Sequence, residues 1–321
     1  MSYIIKMTII EKPLQGFNNK LKFDKLNYPQ CVCGNCPKFY WNLLSIASRQ
    51  SGKTHSICQL IRHYETHKIV NKEGDVFPIR TILISPTTQA NQIYHSLNSL
   101  DFSKDVYEDY SDEILLDIIA DIKQTKQEID DFRLYIKAYK LYLKTPEEKL
   151  GLLFENEPEL MELLEKNDYA HWTEIDQPKY QNYPVNILLL DDLLGTGSFS
   201  TKHKSALTNA IIKNRHLGIN FAILSQSLKS IPKNIRLNSS VFFLGKFQNK
   251  NMILNDLYEE VSNALTMEQF DELYTYATDK PYGALILDLT AGKRFLSNFD
   301  TELLLNNLGS ESEDEKENNK K

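Results

Sequence analysis

"LLSIASRQSGKTHSICQL", residues 43–60, decides how the rest of the chain is read. An apolar run, a short polar turn and a helically spaced stretch follow one another. The turn nearly fits G-x-x-x-x-G-K-[ST], with Gly52, Lys53 and Thr54 in place and Ala47 where the first glycine belongs. Upstream, "FYWNLLSIA" from Phe39 reads as a buried strand feeding the turn, and downstream Ile57, Leu60, Ile61 and Tyr64 recur at helical spacing. Strand, loop and helix in that order aim the backbone N–H groups of Gln50, Ser51, Gly52, Lys53 and Thr54 at a β-phosphate, with the helix N-terminus adding partial positive charge. Lys53 is then the cation for the β- and γ-phosphates of ATP, and the Thr54 hydroxyl a ligand for Mg²⁺. Arg49, inside the loop, is placed to act in its own subunit.

Outward from this motif, the clearest strand is "VNILLLDD", residues 185–192, an aliphatic run of the kind buried on both faces of a parallel sheet. It ends in two carboxylates at the sheet edge where open α/β folds bind ligands. Asp191 suits the water shell of Mg²⁺ and Asp192 the polarisation of an attacking water. Hydrolytic motors usually carry Glu in the second place, and Asp, one methylene shorter, draws the water closer. Gln226 follows the strand "INFAILS" at the same edge, where a side-chain amide can touch both a γ-phosphate and the lytic water. Arg215, in "KNRHLGIN", and Arg236, in "PKNIRLNSS", are both candidates for an arginine reaching a neighbour's γ-phosphate.

The remaining pattern is α/β with a mainly parallel central sheet: "RTILISPT", "VFFLGKF" and "GALILDL" read as further strands separated by helical stretches, and "DVYEDYS" as a short element. Two helices form a charged insert at about 111–170, one from Asp112 to about Leu143 and one in "PEEKLGLLFENEPELMELLEK", read most simply as a solvated face. The loop "GTGSFST" is polar, and "GSESEDEKENNKK" lacks an apolar anchor and reads as disordered.

At 321 residues, 41% hydrophobic and 25% charged, the composition is that of a globular chain, and apolar runs such as "NILLL" fall far short of a membrane span. With no cleavable signal pattern at its start, the chain reads as intracellular. A net charge of -6 argues against a surface coated for nucleic acid, yet a ring needs positive charge only along its channel. Cys31, Cys33 and Cys36 cluster in "CVCGNC" and Cys58 lies apart, so free thiols are the default reading. C-x-C-x-x-C begins a zinc site but lacks the second ligand pair of a zinc ribbon.

Together "ASRQSGKT", "ILISPT", "ILLLDD", "NRHLGINFAILSQS" and "IPKNIRLNSSVFFLGKF" resemble the poxvirus-type genome-packaging ATPases of large DNA viruses and virophages, a branch of the FtsK/HerA superfamily of DNA-pumping motors. The resemblance covers residues 39–299 and is most specific over 214–247. It implies a RecA-like P-loop core whose sensor strand lies between the loop strand and the Walker B strand. It also implies a homo-oligomeric ring, expected to be a hexamer, that drives double-stranded DNA into a preformed capsid with ATP. Capsid or portal-vertex proteins are the implied partners, and the cytoplasm of an infected cell, or the virion itself, the implied location. Residue by residue it places the phosphate loop on Gly52, Lys53 and Thr54, the carboxylates on Asp191 and Asp192, the sensor on Gln226 and the trans-acting arginine on Arg215. The corresponding division is a lead-in at 1–37, an ATPase domain at 38–300 containing the insert, and a C-terminal segment at 301–321. Ala47 and the helical insert depart from the pattern.

A large terminase needs a nuclease domain after the motor, and too little chain follows Phe247 to hold one. Two other readings stay open: a helicase or transfer motor of the same superfamily serving replication or conjugation, and a nucleotide-dependent scaffold on DNA or capsid with little turnover.

Overall fold

The computed structural model describes residues 28–34, 36–88, 91–193, 205–247, 250–290 and 292–305. Most of the lead-in, the 195–201 loop and the acidic tail lie outside the described residues. In chain order the elements begin with β1 (Gln30–Cys31), β2 (Asn42–Ile46), α1 (Lys53–Thr66), β3 (Ile69–Val70), β4 (Ile79–Ile84) and β5 (Val106–Tyr107). The insert supplies α2 (Asp112–Lys144), α3 (Leu150–Asn156) and α4 (Pro158–Glu165). Then come β6 (Val185–Asp191), α5 (Ala206–Ile212), α6 (Asn214–Leu217), β7 (Ile219–Ser225), α7 (Lys233–Leu237) and β8 (Val241–Gly245). The chain closes with α8 (Lys250–Val261), α9 (Met267–Thr278), β9 (Ala284–Asp288), β10 (Arg294–Ser297) and β11 (Thr301–Glu302).

Among the described residues nine strands form one sheet in the order β11-β10-β9-β8-β2-β7-β6-β4-β5. From β8 to β5 the neighbours run parallel, whereas β9, β10 and β11 add an antiparallel margin. β7 lies between β2 and β6, the strand order that the resemblance implies. The sheet is covered on both faces, and the period-two alternation of strand side chains divides the core accordingly. In β6, Leu188 and Leu190 join the cluster under α2, α5, α8 and α9, while Ile187 and Leu189 join the cluster under α1. This explains the uninterrupted aliphatic run, because both faces need apolar residues.

The insert departs from a merely solvated face. α2 starts at residue 112 as the periodicity indicates, its first turn capped by Ser111, whose hydroxyl accepts from the Ile114 N–H. Leu115, Ile118 and Ile122 pack into the main core, whereas Tyr135 and Ala138 form a separate small core with Leu160, Met161 and Leu164. Buried Arg80 of β4 locks the proximal half in place, with guanidinium contacts of 2.5 Å to both Asp105 and Asp121. The second expected helix of the insert is two short ones. Pro158 lacks an N–H and pushes Glu157 out of helical geometry, to φ -129 and ψ 59. Among the described residues no helix is long and apolar enough to cross a membrane.

Candidate active site

The turn between β2 and α1 is built for an anion. Gln50 and Gly52 both have positive φ, 59° and 85°, so their N–H groups turn inward around a concavity that extended backbone cannot make. Gly52 needs its missing Cβ for this conformation. It is also the N-cap of α1, with no side chain capping the helix and no acid in its first turn, so the first N–H donors stay open to a ligand. Among the described residues the buried Ser51 hydroxyl in the same turn has no hydrogen-bond partner. A phosphate oxygen satisfies such groups.

Lys53 Nζ donates to the carbonyls of Ala47 and Ser48, both at 3.0 Å, folding the cation over the loop. Burial pushes its pKa down, partly opposed by Asp191 and Asp192. Asp191 ends β6 as a buried carboxylate, and its Oδ2 accepts from Thr54 Oγ1 at 2.9 Å and from the Tyr94 hydroxyl at 2.5 Å. Burial raises its pKa against these two hydrogen bonds and the Lys53 charge, so the carboxylate keeps an unmet demand for positive charge. Paired oxygens from Thr54 and Asp191, with that demand, fit a hard divalent cation such as Mg²⁺. Asp192, next along, has φ 55, a conformation that Asp tolerates better than most residues and that turns its backbone off the strand. Gln226 Nε2 donates to Asp192 Oδ1 at 3.1 Å, since β6 and β7 are neighbours and end at the same edge. A cavity of about 270 Å³ joins Arg49, Gln50, Lys53, Thr54, Asp191, Asp192 and Gln226. A second cavity, of about 450 Å³ and lined by Ser51, Tyr282, Phe247 and Lys246, adjoins the loop and shares Arg49 and Gln50 with the first.

Neither candidate for the trans-acting arginine lines these cavities. Arg215 sits on α6 before β7, at the opposite end of that strand from Gln226. Seven strand residues at about 3.3 Å each separate the two by roughly 20 Å. Arg215 lines a different cavity with Tyr40, Arg133 and Tyr183. Arg236 pairs with buried Glu260 at 2.8 Å and donates to the Asp256 carbonyl. Burial raises the Glu260 pKa and Arg236 lowers it, so Arg236 compensates a carboxylate inside the α7–α8 packing.

No family model and no curated protein matches the chain. Among solved structures it is similar to the genome packaging NTPase B204 from Sulfolobus turreted icosahedral virus 2 in complex with AMPPCP. The two are 12% identical over 83% of this chain and 98% of that chain, with a TM-score of 0.41. Similar values hold for B204 in complex with ATP-gammaS, at 14% identity, 80% and 95% coverage and a TM-score of 0.41. It is also similar to the pCW3 conjugation coupling protein TcpA with ATPgS, at 15% identity, 81% and 59% coverage and a TM-score of 0.36.

Two features of the site escaped sequence reading. Tyr94 reaches Asp191 across 97 positions of sequence from a short 3₁₀ turn capped by Asn91. The only local signal was that this segment follows a strand ending at the same sheet edge. The other is how Ala47 replaces glycine. Ala47 is fully buried at the end of β2, with φ outside the positive region, so its backbone does not require glycine. Its methyl occupies space that Gly245 of β8 leaves open, where an added Cβ would lie 2.5 Å from the Ala47 Cβ. Gly245→Ala is therefore expected to destabilise the fold by about 1–3 kcal/mol through overpacking. In thermal unfolding, Ala47→Gly in the same chain should restore most of the loss. Equal destabilisation with and without Ala47→Gly would mean that the two positions do not compensate.

Proposed function

We propose that this chain is an ATP-hydrolysing motor that translocates double-stranded DNA, working as a ring to package a viral genome into a preformed capsid. The observation that carries the ATPase reading is the meeting of four groups at one sheet edge: an open helix N-terminus, Lys53, the Thr54–Asp191 oxygen pair and the Gln226–Asp192 pair. The loop N–H groups and the Ser51 hydroxyl hold the phosphates, and Lys53 swings from its two carbonyls to neutralise them. Thr54 and Asp191 would hold Mg²⁺, which would supply positive charge against the charge that develops on the phosphates. Asp192 orients and polarises the attacking water, and Gln226 sets the position of that carboxylate. Arg215, about a strand's length from its own phosphate loop, serves the site of the next chain. The DNA and capsid assignment rests on the motif resemblance.

Duplex DNA is expected to raise ATP turnover with little sequence preference, and the stimulation should fall log-linearly with salt as phosphate contacts release counterions. Stimulation by single strands alone would favour the helicase reading. Turnover indifferent to any DNA would sink the motor assignment and leave the scaffold.

A further inference from the structure

Outside the site, the metal-ligating side chains that cluster among the described residues are Cys31, Cys33 and Cys36. Their sulfurs all lie within 4.8 Å of one another, with 3.0 Å between Cys31 and Cys33 and 3.3 Å between Cys33 and Cys36. Backbone geometry brings them together. β1 pairs with β3 through Cys31 and Ile69, and the Val32 N–H extends that pairing to the Lys68 carbonyl. The chain then reverses, with Gly34 at φ 71 donating its N–H to the Cys31 carbonyl. A tight turn with a left-handed glycine swings the second and third thiols back over the first. Cys58 is the contrast: it is buried on α1 among aliphatic side chains, as a small apolar residue would be.

We propose that Cys31, Cys33 and Cys36 bind one zinc ion through three thiolates, with water in the fourth position. Soft sulfur ligands select zinc among common divalent ions. Tetrahedral coordination at about 2.3 Å sets sulfurs about 3.8 Å apart, so the observed spacings need to open by less than an ångström. Four-iron clusters spread their thiolates over separate irons and require wider spacing. Among the described residues no fourth His, Cys, Asp or Glu joins the group, which leaves the remaining position to solvent.

The knuckle sits where metal binding can matter to the fold. One residue after Cys36, the Pro37 carbonyl accepts from the Tyr64 hydroxyl of α1 at 2.9 Å, and that hydroxyl accepts from Trp41 Nε1 at 3.2 Å. Zinc therefore ties together β3, the end of α1 and the segment that enters β2, the strand delivering the phosphate loop.

The test uses the full chain, purified without chelator. Elemental analysis should find about one zinc per chain. Replacement by Co²⁺ should give sulfur-to-cobalt charge transfer with the visible bands of a tetrahedral ion, and zinc should raise the melting temperature of stripped protein. Cys31→Ser, Cys33→Ser and Cys36→Ser should each weaken zinc retention against a chromophoric chelator by tenfold or more, whereas Cys58→Ser should leave it unchanged. Should a serine variant fail to fold, alkylation of folded wild-type protein with and without zinc gives the same information, because zinc should protect three thiols. A folded wild-type chain that takes up no zinc, a Cys31–Cys33 disulfide in the reduced preparation, or metal retained when Cys33 and Cys36 are both serine would each overturn the proposal.

Discussion

Lys53→Ala is expected to bring ATP turnover to background, a loss on the order of 10²–10³-fold or more, because the phosphate loop loses the ammonium that is folded over it. Nucleotide binding should weaken with it. Asp192→Asn should separate the two functions. An amide keeps the shape and still meets Gln226, but it cannot polarise water as a carboxylate does, so turnover should fall roughly 10²–10⁴-fold while Mg-ATP is retained. The two variants are compared by equilibrium nucleotide binding beside steady-state hydrolysis. Wild-type turnover in Lys53→Ala would make the loop a chance match. Wild-type turnover in Asp192→Asn would move the catalytic acid elsewhere.

The second large effect concerns Arg215. Alone, Arg215→Ala should be as inactive as an enzyme lacking a trans arginine, a contact that accelerates phosphoryl transfer by roughly 10³–10⁵-fold. Mixed with Lys53→Ala protein it should recover measurable hydrolysis. Some junctions then join the intact phosphate loop of the Arg215→Ala chain to the intact arginine of the Lys53→Ala chain. Recovery should stay below wild type, since most junctions remain defective. A pull-down between differently tagged variants establishes that the two chains assemble. Mixed assemblies without activity, together with complementation by Arg236→Ala, would transfer the role to Arg236 despite its pairing with Glu260. Complementation by neither would remove the support for a shared site.

What sequence alone reveals follows from range. β2, β6 and β7 are legible because burial on both faces demands an unbroken apolar run, and α1 because its core-facing residues recur at helical spacing. The strand, turn and helix around Gly52, Lys53 and Thr54 are legible because the pattern is contiguous in sequence. The placement of Asp191 and Gln226 at one sheet edge is legible because Asp191 ends β6 and Gln226 follows β7. Tyr94, the Ala47–Gly245 exchange of space and the Arg236–Glu260 pair are not, since each joins distant segments and depends on packing rather than on local preference. The broken helix at Pro158 was readable in principle, but the apolar periodicity on either side of the proline concealed it. The two core contacts of α2 are hidden for a similar reason: charge on its exposed flank masks the buried stripe in the sequence.

One stiff strand connects Arg215 to Gln226. β7 is buried along its whole length and hydrogen-bonded on both sides, and the turn at Gly218 is the one joint between the arginine's helix and the strand. In the proposed ring, Arg215 touches one ATP and Gln226 attends another. In that arrangement β7 is the direct covalent route from the arginine to the amide that meets Asp192. Firing order around the ring then becomes a question of leverage, with Gly218 as the fulcrum. Stiffening that residue would change how faithfully one subunit times the next without altering the chemistry of either.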